Sequence, residues 1–310
     1  MPSRAKITIV GAGTVGTAAA HWIASRELGD VVLTDIVEGL PQGKALDLQQ
    51  AGPVAGFDVR VWGTNDYAET AGSDLVIITA GVPRKPGMTR EELVGTNAGI
   101  VRSVMEQVVP RSPQAVFVVV TNPLDAMTYL AYRTSGLPRE RVFGLSGALD
   151  STRFRTFLAL ELGVSLRDVQ AMVIGAHTDK DMVPLASLAN VRGVPVRRLL
   201  SAERLEAVVA RTRRAGAEIT ELMKASAFTA PGAALCAMAE AILRDQHHVV
   251  PCCVYLDGEY GERDVCIGVP VVLGARGVER IVEVPLAEDE ERAFRASVVA
   301  VRELLTALPR

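Results

Sequence analysis

Four histidines occur in the 310 residues, and one of them, His177, stands among residues that could help it move a proton. It lies in Val173 to Leu185, VIGAHTDKDMVPL, after an apolar β-prone run and just before two acids. An imidazole, with an ordinary pKa of about 6.5, takes and returns protons near neutral pH. His21 falls within an amphipathic helical pattern, and His247 and His248 are adjacent. Read alone, the stretch admits two accounts, a working imidazole or a polar turn after a strand.

Asp150 and Arg153 occupy positions i and i+3 of LDSTRFRTFLALELG, whose Phe154, Phe157, Leu158 and Leu162 define a buried helical stripe. Both polar residues can therefore share one helix edge. A carboxylate there can hold an imidazole's tautomer and stabilise its protonated form, and a planar guanidinium matches a carboxylate with two bonds. An ordinary surface ion pair is the other account. Further upstream, AGVPRKPGMTREE places Arg84 on a Pro- and Gly-rich loop and Arg90 in the first turn of a helix opened by a Thr89-x-x-Glu92 capping box. Closing such a loop would carry two guanidinium groups onto a ligand, although a solvated basic loop reads the same way.

The elements around these residues narrow the choice. Lys6 to Val10 reads as a strand running into Gly11-Ala12-Gly13-Thr14-Val15-Gly16 and then a helix; Val31 to Leu33 reads as a second strand ending at Asp35. Strand, glycine turn, helix and an acid at that distance form the dinucleotide-binding unit, with helix amides facing a pyrophosphate and the acid on a ribose diol. An acid repels a 2′-phosphate, which favours NAD over NADP. A helix is predicted over Glu38 to Gln50. Strands are predicted near Val59 to Trp62, over Leu75 to Thr79 and over Ala115 to Val120, the last two continuous apolar runs suited to a parallel sheet covered on both faces. Ala80-Gly81 and Thr121-Asn122-Pro123 then face the same crevice as the glycine turn, at the carboxyl ends of the strands.

Past Leu145 longer helices are predicted at Ser151 to Leu162, Ser201 to Lys224 and Glu288 to Leu308, interleaved with β runs at Val169 to Ile174, Cys252 to Leu256 and Val265 to Leu273. The reading is α/β. A doubly wound parallel (Rossmann) cofactor domain at 1–144 precedes an α+β substrate and catalytic domain at 145–310, tightly joined. In the last helix Phe294, Val298, Val301, Leu305 and Leu308 make an apolar face for core or subunit packing.

Composition limits the partners. At 49% hydrophobic and 22% charged the chain is an ordinary globular one, and its net charge of −3, with both signs dispersed, offers no basic stripe for nucleic acid. No apolar stretch is long enough for a membrane span and no export signal is visible, so a cytoplasmic protein with reduced cysteines is expected. His247, His248, Cys252 and Cys253 lie at the entry of a β run where side chains alternate faces, so no convergent metal site is expected. A short-chain reductase is disfavoured because no Tyr-x-x-x-Lys pair occurs.

GAGTVG, Asp35, GVPRKPGMTR, VTNPLD, LDSTRFRT and the His177 segment, in this order and spacing, resemble the malate dehydrogenases of the lactate-dehydrogenase-like type, within the lactate/malate dehydrogenase family. The likeness runs from Ile7 through GVPVVLGARGVERIVEVPL to the last helix. It implies His177 as proton acceptor and donor with Asp150 as its partner. It also implies Arg153 on the substrate's C1 carboxylate, Arg90 polarising the C2 oxygen, Asn122 bonding to the substrate, Arg84 on the distal carboxylate, and Ser226 lining the pocket. NAD is the implied cofactor, lined by Gly11, Gly13, Thr14, Val15, Gly16, Asp35, Thr79, Ala80, Gly81, Asn97, Val120 and Asn122. Malate and oxaloacetate are the implied substrates, and a homodimer or homotetramer the implied assembly. A cation opposite a second carboxylate suits Arg84 as the selector, since lactate dehydrogenases carry a neutral Gln at the matching place; a charge-assisted bond contributes about 1.5 to 3 kcal/mol. Another 2-hydroxy acid, lactate among them, or an NAD-binding module without turnover are the competing functions. The family pattern G-G-H-G-D-x-M-V-P is one residue shorter between His and Met than His177 to Met182 here. The extra residue is expected to form a local bulge that leaves the imidazole within reach of Asp150.

Overall fold

The computed structural model describes residues 4–83 and 88–309, and Arg90 by its place in a helix alone. The first half alternates strand and helix: β1 (Lys6–Val10), α1 (Thr14–Ser25), β2 (Asp30–Thr34), α2 (Leu40–Ala55), β3 (Val61–Thr64), β4 (Leu75–Ile78), α3 (Arg90–Arg111), β5 (Val116–Val119), α4 (Leu124–Ser135) and β6 (Val142–Gly144). Its six strands are parallel in the order β3-β2-β1-β4-β5-β6. This is the doubly wound order, and the reversal between β1 and β4 opens a crevice at the strands' carboxyl ends. Val76, Ile77, Phe117 and Val118 are all buried, as continuous β-branched and aromatic runs require when helices cover both faces.

The second half comprises α5 (Gly147–Leu162), β7 (Val169–Gln170), β8 (Val173–Gly175), β9 (Met182–Pro184), β10 (Asn190–Val191), β11 (Val194–Pro195), α6 (Val196–Leu199), α7 (Ala202–Met223), α8 (Thr229–Leu243), β12 (His248–Asp257), β13 (Arg263–Gly274), β14 (Gly277–Ile281) and α9 (Glu288–Leu305). Its long strands extend the same sheet. β12 pairs antiparallel with β6 through Cys253 and Gly144, and β13, β8 and β9 follow, so one sheet runs through both halves. One hydrophobic core likewise includes Ile7 and Leu33 from the first half and Cys252, Val269 and Phe294 from the second. α8 also lies on α1, where a Cβ on Gly232 would stand 2.8 Å from Ala18.

Several expected elements shift. The run Val169 to Ile174 is two strands: β7 joins a small sheet with β10 and β11, and β8 joins the large one. An apolar run does not reveal that the partners on either side of Ala171 and Met172 differ. α5 begins at Gly147, one turn before Ser151, and Gly147 packs so tightly on Val173 that a Cβ would lie 2.3 Å from its carbonyl oxygen. α2 starts after Gly39, whose left-handed φ of 75° sets the turn, and runs on to Ala55. α9 ends at Leu305; its buried face carries Phe294, Val298 and Val301, with Leu305 and Leu308 half-buried against the core clusters. Among the described residues no helix is long and apolar enough to cross a membrane, and no three His, Cys, Asp or Glu side chains converge as a metal-ligand set.

Candidate active site

The crevice is built first from glycine. Gly11 follows β1 with φ of 106°, and a Cβ there would lie 2.6 Å from the Thr79 hydroxyl and 2.7 Å from the Ala80 nitrogen. Gly16 brings α1 against the turn, where a Cβ would stand 2.0 Å from the Gly11 carbonyl oxygen. A Cβ on Gly13, by contrast, would meet nothing within 4 Å. The turn is thus closed toward the sheet and open on its outer side. α1 starts at Thr14 without a side-chain cap, so its first amides have no partner within the helix and face that opening.

Asp35, at the end of β2, accepts the Ala12 amide on Oδ2 at 2.7 Å and the Val37 amide on Oδ1 at 3.0 Å. It therefore fixes the glycine turn as well as presenting a carboxylate at the crevice. Ile36, 90% exposed beside it, offers apolar contact for a base. These residues fit a dinucleotide: an open backbone cradle, orphan helix amides and an acid one strand away.

The facing wall comes from β4, β5 and α3. The Thr79 hydroxyl donates to the Gly11 carbonyl at 2.9 Å, and that of Thr121 to the Ala80 carbonyl at 2.7 Å, which ties Ala80 and Gly81 to the strand ends. Asn97, expected to line the cofactor, is buried. It accepts the Val82 amide at 2.9 Å and donates to the carbonyls of Val82 and Asn122 at 3.1 and 2.6 Å. Its side chain thus braces the crevice backbone. Val120 is half-buried, and Asn122, exposed at the mouth, precedes a cis proline, Pro123.

The histidine expected to carry a proton lies at the junction of the two halves. His177 Nδ1 is 2.7 Å from Asp150 Oδ2, and Arg153 donates to Asp150 Oδ1 at 3.0 Å. Asp150 is 2% exposed, His177 14% and Arg153 13%, so the chain is nearly sealed yet reachable. With Nδ1–H donating to the carboxylate, Nε2 is the nitrogen left to exchange a proton. Burial opposes charge on His177, but the charge and hydrogen bond of Asp150 outweigh it, with help from Asp125 and opposition from Arg153, and the imidazole is held above its ordinary value. The Arg153 Nε is buried without a hydrogen-bond partner among the described residues, a donor a carboxylate could satisfy. α7 passes beside this guanidinium, where a Cβ on Gly216 would lie 3.7 Å from it.

The stretch 178–181, where the sequence is one residue longer than the family pattern, lies in the β8–β9 connection, outside the paired strands. Gly175 pairs with Met182, and the loop between them closes by a bond from the Met182 amide to the Thr178 carbonyl at 3.2 Å. Thr178 donates to the Asp181 carboxylate at 2.8 Å and accepts the Asp181 amide at 3.0 Å. Strand pairing and a self-contained turn hold the imidazole in place.

Two residues near the histidine carry contacts that motif reading missed. Asp125, the second residue of α4, accepts the His177 amide on Oδ2 at 2.9 Å, and Ser297 on α9 accepts the Ala176 amide at 2.7 Å. Asp125 is 1% exposed and its Oδ1 has no hydrogen-bond partner among the described residues, an arrangement that costs about 1–3 kcal/mol. Burial pushes its carboxyl up to about 6 against the pull of His177 and the Cys253 thiol, with Asp150 pushing further. The signal was present in VTNPLD, an acid directly after a strand-end turn. Of the remaining expected residues, Arg90 opens α3 behind the capping box, in which the Glu92 amide donates to the Thr89 hydroxyl at 3.0 Å and the Thr89 amide to Glu92 at 2.8 Å. Ser226 is exposed in the segment 224–228 between α7 and α8, and Arg84 lies outside the described residues.

A doubly wound nucleotide crevice meeting a histidine–aspartate–arginine chain is the architecture of a nicotinamide-dependent dehydrogenase. Residues 5–144 match the lactate/malate dehydrogenase NAD binding domain, and residues 147–307 match the lactate/malate dehydrogenase alpha/beta C-terminal domain. The chain belongs to the lactate/malate dehydrogenase family, and its cofactor is NAD. It is 57% identical to a malate dehydrogenase of Desulforudis audaxviator, over 98% of this chain and 99% of that one. Among solved structures it is similar to the apo malate dehydrogenase of Picrophilus torridus, at 46% identity, a TM-score of 0.95 and coverage of 98% and 97%. It is also similar to a Cryptosporidium parvum lactate dehydrogenase complexed with lactic acid and nicotinamide adenine dinucleotide, at 42% identity, a TM-score of 0.94 and coverage of 99% and 98%.

Proposed function

We propose that this chain is an NAD-dependent malate dehydrogenase, interconverting malate and oxaloacetate. The observation that supports a proton-coupled redox step is the 2.7 Å contact between His177 and Asp150 at the end of the nucleotide crevice. Malate dehydrogenase relatives matched end to end support the choice of substrate, and so does a second cation, Arg84, in the loop sequence.

The division of labour we propose follows the chain. Residues 1–144 hold the cofactor, with Gly11, Gly13, Thr14, Val15 and Gly16 at the pyrophosphate, Asp35 at a ribose, and Thr79, Ala80, Gly81, Asn97, Val120 and Asn122 forming or bracing the opposite wall. Residues 145–310 supply the histidine and part of the substrate pocket. NAD, when bound, supplies the hydride acceptor or donor. In malate oxidation the C2 hydroxyl O–H bond breaks and its proton passes to His177 Nε2, while Asp150 holds the ring and the imidazolium that forms. In reduction the protonated ring returns that proton to the C2 oxygen. Arg153 engages the C1 carboxylate, Arg90 polarises the C2 oxygen, Asn122 adds a hydrogen bond, Arg84 meets the distal carboxylate, and Ser226 lines the pocket. The same reading places the protein in the cytoplasm, as a homodimer or homotetramer, at the malate step of the tricarboxylic acid cycle.

The similarity to a lactate dehydrogenase gives the second reading a specific basis, because the two substrate classes share this fold. NADH oxidation with oxaloacetate and with pyruvate, assayed side by side, separates them. Oxaloacetate should be reduced far faster, and equal rates would overturn the malate assignment. Arg84→Gln should lower the oxaloacetate-to-pyruvate preference by roughly ten- to a hundredfold, the worth of one charge-assisted bond; an unchanged ratio removes Arg84 as selector. NADH binding without turnover of any 2-oxo acid would leave only a binding module.

A further inference from the structure

Asp125 is joined to the proton-carrying group through the main chain of His177. A buried ion is costly, and a neutral amide oxygen would accept the same N–H, so anchoring the backbone does not by itself account for an acid. Its surroundings do. Asp150 and Arg153 face this region from α5, the His177 imidazole from the β8–β9 loop, and the Cys253 thiol from β12 with Cys266 of β13 behind it. When His177 is protonated, the buried group holds two cations, His177 and Arg153, and two carboxylates, Asp150 and Asp125. Without Asp125, and with no substrate carboxylate on Arg153, it would hold an excess positive charge whenever the imidazole is protonated.

We propose that Asp125 is a positioning residue of the proton transfer, anchoring the main chain of His177 while its negative charge supports the imidazolium. It exchanges no proton with the substrate. Burial pushes its carboxyl up to about 6, so the support is in place at neutral pH and is withdrawn as pH falls through that value. The inference rests on His177 being the proton carrier.

The test is Asp125→Asn, which keeps the shape and an acceptor oxygen but removes the charge. The His177 ring is titrated by nitrogen-detected NMR in the intact protein without substrate, its signals assigned with His177→Asn. The midpoint should fall by about half a pH unit or more, roughly threefold in the protonation equilibrium, and the alkaline limb of kcat/KM for oxaloacetate reduction should move with it. NADH affinity should stay within about twofold, since the hydrogen bond that Asp125 accepts comes from His177 and not from a residue assigned to the cofactor. An unmoved His177 midpoint overturns the proposal whatever happens to the rate. Because the ring is read without substrate, a different preferred oxo acid leaves this result intact. Should Asp125→Asn fail to fold, the reciprocal measurement decides: linkage requires the Asp125 carboxyl midpoint to rise in His177→Asn relative to wild type, and an unchanged midpoint overturns the coupling.

Discussion

Asp150 gives one carboxylate oxygen to His177 and the other to Arg153, so a single buried carboxylate bridges the imidazole and the guanidinium. His177→Asn should lower kcat for oxaloacetate reduction by about 10²- to 10⁴-fold, the usual worth of a general acid, with NADH affinity, read by fluorescence titration, nearly unchanged. The raised imidazole pKa sets the sign of the pH dependence. Reduction needs the protonated ring, so its rate falls as pH rises through a value above the ordinary 6.5, while malate oxidation rises over the same interval. Asp125 affects stability in a defined direction. Its carboxyl titrates at about 6 in the fold against an ordinary 3.8, so the folded state binds the proton more tightly and loses stability as pH rises between those values. Relative to Asp125→Asn, wild type should therefore lose about 2 kcal/mol between pH 4 and 7, as measured by urea unfolding; a difference independent of pH would contradict this.

At the scale of elements, the glycine turn and the capping box of α3 were legible because each is a local device whose residues are a few positions apart. Gly16→Ala tests the first: its Cβ would stand 2.0 Å from the Gly11 carbonyl oxygen, so α1 must back away from the turn. NADH affinity should fall at least about tenfold, or 1.4 kcal/mol, and unchanged binding would show that the turn can relax at no cost. The division of Val169 to Ile174 between two sheets was not legible, since the choice depends on β10 and β13, far away in sequence. Nor does the chain by itself show what Arg211, Arg213 and Arg214 of α7 contact. In the fold Arg211 pairs with Glu218 and stacks on Phe157, Arg213 donates to the Met182 carbonyl at the end of the histidine loop, and Arg214 faces Glu221.

Across the whole molecule, the sheet and core that continue through both halves predict a single cooperative transition. The sequence supplies natural probes: both tryptophans, Trp22 and Trp62, are in the first half, and all four cysteines, each buried, are in the second. Tryptophan fluorescence and thiol reactivity, followed through urea unfolding at one protein concentration, should give coincident curves. Separate midpoints would mean that the β6–β12 seam is weaker than its pairing implies.

From the sequence alone came the nucleotide-binding turn, the acid at the end of β2, the alternation that makes a parallel sheet, and the pairing of Asp150 with Arg153. Each depends on spacings short enough to be governed by local geometry. The resemblance had already paired His177 with Asp150, and the fold supplies the means, the β8–β9 loop set against α5; tertiary structure alone decided that Asn97 braces the crevice from within and that the charge of Asp125 lies buried beside the histidine's backbone. Those contacts join residues 25 to 52 positions apart, and only the packing of α3, α4, α5 and β8 on one sheet brings them within hydrogen-bonding distance.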